Sequence, residues 1–572
     1  MANTVSLTPN DYQLPSLYRW EKQRGDKVFL TQPQGGGATQ NITWAEAGQE
    51  ARRMATWLLA QGFPAGSNIA ILGKNSAHWI LADLAIWMAG HVSVPIYPTF
   101  NAQALRYILE HSESRACFVG KLDDTDSLAD GIPKGMPLIA LPLSPREVAT
   151  TFKAATWESL AAANAPLKGE PMGDVDAMCT IIYTSGTTGN PKGVMHSFKS
   201  MAWGLKSATG EGRVTMNADD QLLSYLPLAH VAERMLIEQG ALINGSHIFF
   251  AESLDTFVQD LGRARPTVFF SVPRLWVKFQ QGIHTKFPPK KLNFLLGLPI
   301  IGGLVRRKIL KGLGLDNCRL AAGGAAPMPP DMLRWYRDIG LDLIEVYGMT
   351  ENSGVSHGTL PGTMRPGTVG MPYEGVESRI DKETGEIQMR APCLMLGYYK
   401  DPKQTADTFT ADGWLRTGDK GKLEADGSLR ITGRVKDIFK SSKGKYVAPA
   451  PIEDLLVNHP DVEACAVTGA NFAQPLAIIM LSADALARSG TPEGKAAITE
   501  SLTAHLKAVN AQLEAHEKLD CVAVVSTTWS PENGFVTPTF KVKRARIEES
   551  YSGQYEGWLE QRKSVVWASG AA

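Results

Sequence analysis

The sequence predicts an α/β protein: a large N-terminal body of parallel α/β subdomains and a β-rich subdomain, followed by a small α+β domain. Three observations carry this. From Ser67 onward apolar runs alternate with stretches of helix length; between about Glu377 and Arg434 the texture changes to short strands and tight turns; after Arg434 a compact mixed pattern begins. Strands that alternate with helices of this length imply a parallel sheet covered on both faces.

The elements follow in order. NIAILG reads as a strand, HWILADLAIWMAG as a helix, VSVPIY as a strand, ALRYILEHS as an amphipathic helix and ACFVG as a third strand, a β-α-β-α-β unit. The alternation resumes with the strand QLLSYLPL, a helix around Met235 to Ile243 and the strand run TVFFSV. No fixed-period repeat is visible, which removes the main support for solenoids and propellers. ETGEIQMR, ADGWLRTGD and EADGSLRITGR carry Asp-Gly pairs at 412 and 426 and Thr-Gly pairs at 384, 417 and 432, the turn chemistry of hairpins. VEACAVTGA and CVAVVS then read as strands and ITESLTAHLKAVNAQLEAHEKL as an amphipathic helix. The expected boundary falls near Gly433 to Asp437, dividing the chain into residues 1–433 and 434–572.

A chain of 572 residues exceeds one compact core, and its hydrophobic fraction of 44% is that of an ordinary soluble globular protein. The 58 Lys and Arg balance the 58 Asp and Glu, so no net positive field exists to coat nucleic acid, and no nucleic-acid partner is expected. Six scattered cysteines without a CxxC pair suggest reduced thiols, and the N-terminus lacks the pattern of a signal peptide; the expected location is cytoplasmic. One apolar stretch, NFLLGLPIIGGLV from Asn293 to Val305, is flanked by Lys290 and Lys291 before it and by Arg306, Arg307 and Lys308 after it. It is too short to cross a bilayer, which takes about 20 residues. It reads either as a buried helix-turn segment or as a place of peripheral contact with the inner face of a membrane, or with an apolar substrate.

The segment most informative about chemistry runs from Thr180 to His196, TIIYTSGTTGNPKGVMH, out of an apolar strand into a loop rich in Gly, Ser and Thr. Gly186, Gly189 and Gly193 let backbone N–H groups approach a ligand, and Thr184, Ser185, Thr187 and Thr188 add hydroxyls, a donor set that suits a polyphosphate. Lys192 adds a mobile positive charge for a leaving phosphate. Because Gly193 rather than Ser or Thr follows Lys192, this is not the loop of P-loop kinases and GTPases.

YTSGTTGNPKGV resembles the phosphate loop of the adenylate-forming superfamily: acyl-CoA synthetases, nonribosomal-peptide adenylation domains and luciferases. LPLAHVAER (226–234), GGAAP (323–327), YGMTE (347–351), TGD (417–419), GRVKD (433–437) and PTFKVKR (538–544) follow in that superfamily's order. VPIYPT, SVPRLW, VAPAPIE and ENGFVTPTFKVKR make the chain similar to long-chain fatty acyl-CoA synthetases. The resemblance implies activation of a carboxylic acid by ATP and Mg²⁺ to acyl-AMP, then transfer to CoA.

The same resemblance implies the site residues. Lys541, Lys192, Thr350 and His230 carry the catalytic step, with Lys543 a close competitor of Lys541, and Glu351 holds the metal. Tyr347 offers a face to adenine, Gly324 and Ala325 leave room beside it, Gly348 belongs to the same turn, and Asp419 and Arg434 take the ribose. Lys436 is the hinge, and Gly444 in KSSKGKYV lets the pantetheine arm pass, with Lys443 and Lys445 either meeting CoA phosphates or solvated. Trp203 and Trp276 either line an acyl channel or belong to the core. A hydrophobic, medium- or long-chain fatty acid is the expected substrate. An aryl or steroid acid, another acceptor, and a non-catalytic nucleotide-binding protein are the alternatives.

Overall fold

The structure, a computed structural model, describes residues 5–184, 190–209, 215–326, 328–531, 533–537 and 541–568. It divides into two compact units, which among the described residues comprise 5–184, 190–378 and 389–415 on one side and 379–388 and 416–568 on the other.

The first unit contains two predominantly parallel sheets. In one, Gln221–Ser224, Val268–Ser271, Leu320–Gly324 and Leu343–Tyr347 are successive parallel neighbours, and His247–Phe250 and Val28–Gly35 continue the sheet beyond Gln221–Ser224. In the other, Met178–Thr184, Val92–Ile96, Asn68–Leu72, Cys117–Val119 and Leu138–Ala140 run parallel, and Lys192–Ser197 and Gly397–Tyr398 close one edge antiparallel. The α/β reading of the sequence is therefore the observed architecture, and the β-α-β-α-β unit from Ser67 falls where the apolar runs predict it.

All residues of the helix Ala77–Met88 are buried. It touches strands of both sheets, so no face is left for water. That location explains why its one acid, Asp83, needs a partner. The partner is Arg234, at the start of a π-helical turn Arg234–Gln239 that opens the predicted Met235 helix. The Arg234 guanidinium is fully buried, is ion-paired to Asp83, donates to Thr180 Oγ1 at 3.0 Å and lies 5.5 and 5.7 Å from the rings of Trp79 and Trp87. Glu238 is 3.3 Å from Arg234 Nε, but burial, and then the Asp83 charge, hold its carboxyl well above the usual range, so Asp83 is the counter-ion.

The six cysteines are free thiols, and among the described residues no helix is long and apolar enough to cross a membrane. Trp276 is fully buried with its Nε1 donating to the Ala322 carbonyl at 3.3 Å, and Trp203 is buried against Gly375, so both tryptophans are core.

In the second unit, Val462–Thr468, Leu476–Leu481, Val522–Val525 and Val565–Trp567 form a four-stranded sheet in that order. The long helix spans Pro492–Asn510 and buries Ile498, Leu502, Leu506 and Val509. It ends earlier than the apolar pattern predicts, because the Asn510 side chain turns back to bond both the N–H and the carbonyl of Leu519, at 2.8 and 2.9 Å. Leu415–Leu423 and Leu429–Arg434 pair antiparallel, as the Asp-Gly turn at 426 predicts.

The Asp83–Arg234 pair yields a prediction. Asp83→Ala strands a buried guanidinium and lowers the stability of the first unit by about 3–5 kcal/mol, whereas Glu238→Gln, which keeps the side chain's shape and removes a charge that burial disfavours, changes it by less than about 1 kcal/mol. Urea unfolding followed by tryptophan fluorescence measures both.

Candidate active site

The parallel register of the first sheet gathers three of the sequence motifs. Ser224, Gly324 and Tyr347 are the carboxyl ends of strands in one run of neighbours, and the segments that leave them carry His230, Ala325 and Thr350. The carboxyl end of parallel strands is where such sheets place ligands. Gly324 has no room for a side chain, since a Cβ there would lie 2.6 Å from the Val346 carbonyl oxygen. Ala325, exposed, takes φ +67°, a left-handed conformation that turns the chain away from the strand end. After Tyr347, Gly348 passes so close to Gly354 that a Cβ would meet its carbonyl oxygen at 2.1 Å, which folds Thr350–Asn352 into a single 3₁₀ turn.

His230 caps a short helix: its Nδ1 accepts from the Ala232 N–H at 3.1 Å, which leaves the ring proton on Nε2. Its segment is clamped from behind. Asn75 donates to the Leu226 carbonyl at 2.6 Å and accepts from the Leu228 N–H at 3.0 Å, while Glu233 accepts from Ser224 Oγ and the Tyr225 N–H at 2.8 and 3.0 Å. Burial pushes the Glu233 carboxyl up to about 8, against the pull of those two donors.

The glycine- and threonine-rich segment leaves Met178–Thr184 and returns through Lys192–Ser197, with Thr184 paired to Lys192 at the mouth. Ser185, Gly186, Thr187, Thr188 and Gly189 lie outside the described residues. Gly193 lies within the return strand, where a Cβ would come 2.7 Å from Ile181. Its missing side chain serves strand packing.

Lys192 Nζ donates to Gln404 Oε1 at 2.8 Å and sits 5.6 Å from the centre of the Tyr398 ring. The Tyr398 hydroxyl in turn donates to Glu351 Oε1 at 2.8 Å, and burial followed by the Glu351 charge holds that phenol well above its ordinary value. The predicted phosphate lysine and the predicted metal carboxylate thus meet on one tyrosine. Among the described residues no group of three or more metal-type side chains exists. With Tyr398 on one oxygen of Glu351, the other is the one that would hold a cation. A single carboxylate fits Mg²⁺ that takes its remaining ligands from phosphates and water. His196 fixes the same turn: its Nε2 donates to the Thr350 carbonyl at 2.7 Å. Motif reading does not single out Tyr398, Gln404 or His196, because the edge strand Gly397–Tyr398 meets Lys192–Ser197 only through long-range pairing.

In the second unit, Asp419 and Arg434 are opposite residues of the antiparallel pair, and Arg434 Nε lies 3.0 Å from Asp419 Oδ1. Asp419 is orientated by its N–H, which donates to Thr417 Oγ1 at 3.1 Å, while Thr417 donates to the Ile387 carbonyl at 2.7 Å. Lys436 is exposed two residues beyond. Gly444 takes φ +75° in the turn between Phe439–Lys440 and Tyr446–Val447, where Lys443, Lys445 and Tyr446 are exposed. Lys541 is exposed and its carbonyl accepts from the Thr537 N–H at 2.8 Å, whereas Lys543 is half-buried and precedes the helix Arg544–Tyr551.

The sequence pattern of the AMP-binding enzyme family matches residues 17–399, and that of the AMP-binding enzyme C-terminal domain matches 436–562. The chain is 30% identical to the long-chain-fatty-acid–CoA ligase FadD15 of Mycobacterium bovis over 94% of this chain and 95% of that protein. It is also 30% identical to the peroxisomal long chain acyl-CoA synthetase 6 of Arabidopsis thaliana, over 89% and 80%. Among solved structures, the adenylation domain of a carboxylate reductase from Mycobacterium chelonae superposes with a TM-score of 0.80 at 23% identity, covering 98% of this chain and 92% of that one.

The buried His196 makes the site acid-sensitive in a defined window. Burial lowers its folded value to about 4 from 6.5, so between those values the unfolded chain binds the proton and the folded one does not. Its contribution is intact above pH 6.5 and is lost as pH falls toward 4, up to roughly 3 kcal/mol. Equilibrium unfolding measured across that range shows a smaller loss in His196→Gln than in the unsubstituted chain.

Proposed function

We propose that this chain, which belongs to the AMP-binding enzyme family, is an acyl-CoA synthetase that activates a hydrophobic carboxylic acid, a medium- or long-chain fatty acid, with ATP and Mg²⁺. The observation that carries the reading is the convergence of Lys192 and Glu351 on Tyr398 beside the Thr350 turn. The near full-length similarity to long-chain ligases supports the choice of acid.

The chemistry runs in two steps. A carboxylate oxygen of the acid attacks the α-phosphorus of ATP, the bond to pyrophosphate breaks, and acyl-AMP forms. The CoA thiolate then attacks the acyl carbon and AMP leaves with the electron pair of the broken C–O bond. Such phosphorus chemistry asks a protein for positioning and charge neutralisation. Lys192, swinging from Gln404, neutralises the departing pyrophosphate; Thr184, Ser185, Gly186, Thr187, Thr188 and Gly189 cradle it. Glu351, held by Tyr398, would carry Mg²⁺, which supplies charge neutralisation at the phosphates. The Thr350 hydroxyl takes the α-phosphate, and the Nε2 proton of His230 faces the reacting carboxylate. Tyr347 stacks on adenine beside Gly324 and Ala325, with Gly348 keeping the turn tight, and Asp419 with Arg434 receives the ribose hydroxyls.

The second unit is assigned the alternation between the two steps. Lys541 brings its cation to the carboxylate and α-phosphate in the first step, Lys436 is the hinge, and the Gly444 turn admits the pantetheine arm in the second. The solvent exposure of Lys541, against the half-buried helix-start position of Lys543, supports Lys541 as the reactive lysine.

Pyrophosphate release with a panel of acids, each with and without CoA, tests the proposal. Release that requires a fatty acid, with thioester formed only when CoA is present, is the expected result; no acid-dependent release rejects it, and release without thioester replaces CoA by another acceptor. Lys541→Ala and Lys192→Ala each lower acyl-AMP formation by about 10²–10³. Lys543→Ala lowers it by less than about tenfold, and the reverse order of the two C-terminal lysines overturns the assignment.

A further inference from the structure

The apolar stretch flanked by basic residues lies in the first unit as a helical hairpin, Pro289–Gly297 and Ile301–Gly312, and it is only half buried. Leu292, Leu296 and Ile309 anchor it to a core cluster, and Gly302 lets the second helix start against the first, since a Cβ there would meet the Leu296 carbonyl oxygen at 2.4 Å. The opposite side faces outward. Phe294, Ile300, Ile301 and Leu304 are 68%, 85%, 45% and 64% exposed, four of the thirteen large exposed apolar residues among the described residues. Scattered singles of this kind are ordinary, but a cluster around one turn is not.

The backbone at that turn is strained in a way that displays the apolar tip. Ile300, β-branched, takes φ +66° and ψ −56°, and the Ile301 N–H bonds the Pro299 carbonyl at 2.7 Å. This is a γ-turn of the rare, strained hand. A residue that pays for such a conformation while its side chain stands in solvent is a sign of function rather than packing.

The charge carried by the hairpin itself has one sign. From Leu261 to Leu315 the sequence contains no Asp or Glu, although the whole chain is neutral, and Lys290, Lys291, Arg307, Lys308 and Lys311 are exposed on the two helices. A second copy of this face would bring lysines and arginines against one another, so self-pairing is opposed. An apolar wedge within a basic collar is complementary to the headgroup layer of an anionic bilayer, where the aliphatic residues enter the interface and the cations stay at the phosphates.

We propose that the hairpin formed by residues 289–312 docks the protein peripherally on an anionic lipid surface. This rests on the hairpin alone and not on the reaction assigned above. A protein so docked would take up an amphiphilic substrate from the layer into which that substrate partitions.

The full-length chain is sedimented with phosphatidylcholine vesicles and with vesicles of mixed phosphatidylcholine and phosphatidylglycerol, without ATP or acid, in low and high salt. The expected result is at least about tenfold stronger partitioning onto the anionic vesicles, weakened by salt. Ile300→Glu with Leu304→Glu, and separately Lys290→Glu with Arg307→Glu, each reduce it by about tenfold or more. All four side chains substituted are outside the assigned reaction site, so thermal unfolding and turnover of a short water-soluble acid serve as controls for folding. An unsubstituted chain that stays in the supernatant with anionic vesicles overturns the proposal. So does an Ile300→Glu, Leu304→Glu variant that loses self-association, seen by sedimentation velocity, while keeping its full vesicle binding.

Discussion

One buried guanidinium holds the first unit together. Arg234 reaches Asp83 on the helix enclosed between the two sheets and Thr180 on the strand that leads into the phosphate-loop segment, and it stands four residues after His230. Its own N–H bonds the His230 carbonyl at 3.1 Å. A single cation therefore fixes the strand before one functional segment and the backbone of another. Burial of charge is costly unless every partner is in place, and here the cost is offset by Asp83, by the Thr180 hydroxyl and by the two flanking indole rings. The arrangement trades stability that apolar packing would supply for a fixed relation between two sheets.

From that anchor the site is assembled in layers. Asn75 and Glu233 hold the segment from Leu226 to His230 by its backbone, His196 holds the Thr350 turn by its carbonyl, and Tyr398 stands between Lys192 and Glu351. The charged side chains assigned to the site are few and local, so with a net charge of zero the nucleotide binding proposed for it rests on placement and not on a global field. The same neutrality makes the carboxylate-free stretch from Leu261 to Leu315 conspicuous.

Much of the fold is legible in the sequence because strands buried in parallel sheets are continuous apolar runs, and NIAILG, VSVPIY and TVFFSV are short enough to be nothing else. The motif order also leads to Lys192, Glu351, Asp419 and Arg434 through family resemblance. What the sequence hides depends on contacts between distant segments. Tyr398 reaches Lys192 and Glu351 from an edge strand more than 40 residues beyond Glu351. The Pro492–Asn510 helix stops where a side-chain amide captures Leu519, which periodicity does not register. That Gly193 also has no room for a side chain, because Ile181 stands across the strand pair, is likewise a contact the motif does not register. The apolar stretch at Asn293 is ambiguous in sequence between core and surface, and it is both: one side anchored, the other exposed.

In the proposed reaction a carboxylate oxygen attacks the α-phosphorus of ATP. Incubating the protein with ATP, CoA and a fatty acid whose carboxylate carries heavy oxygen, and then measuring the mass of the nucleotide product, tests it directly. Attack at the α-phosphorus places one labelled oxygen in AMP and none in pyrophosphate. Label appearing in inorganic phosphate with ADP as the nucleotide product, or unlabelled AMP, contradicts the account.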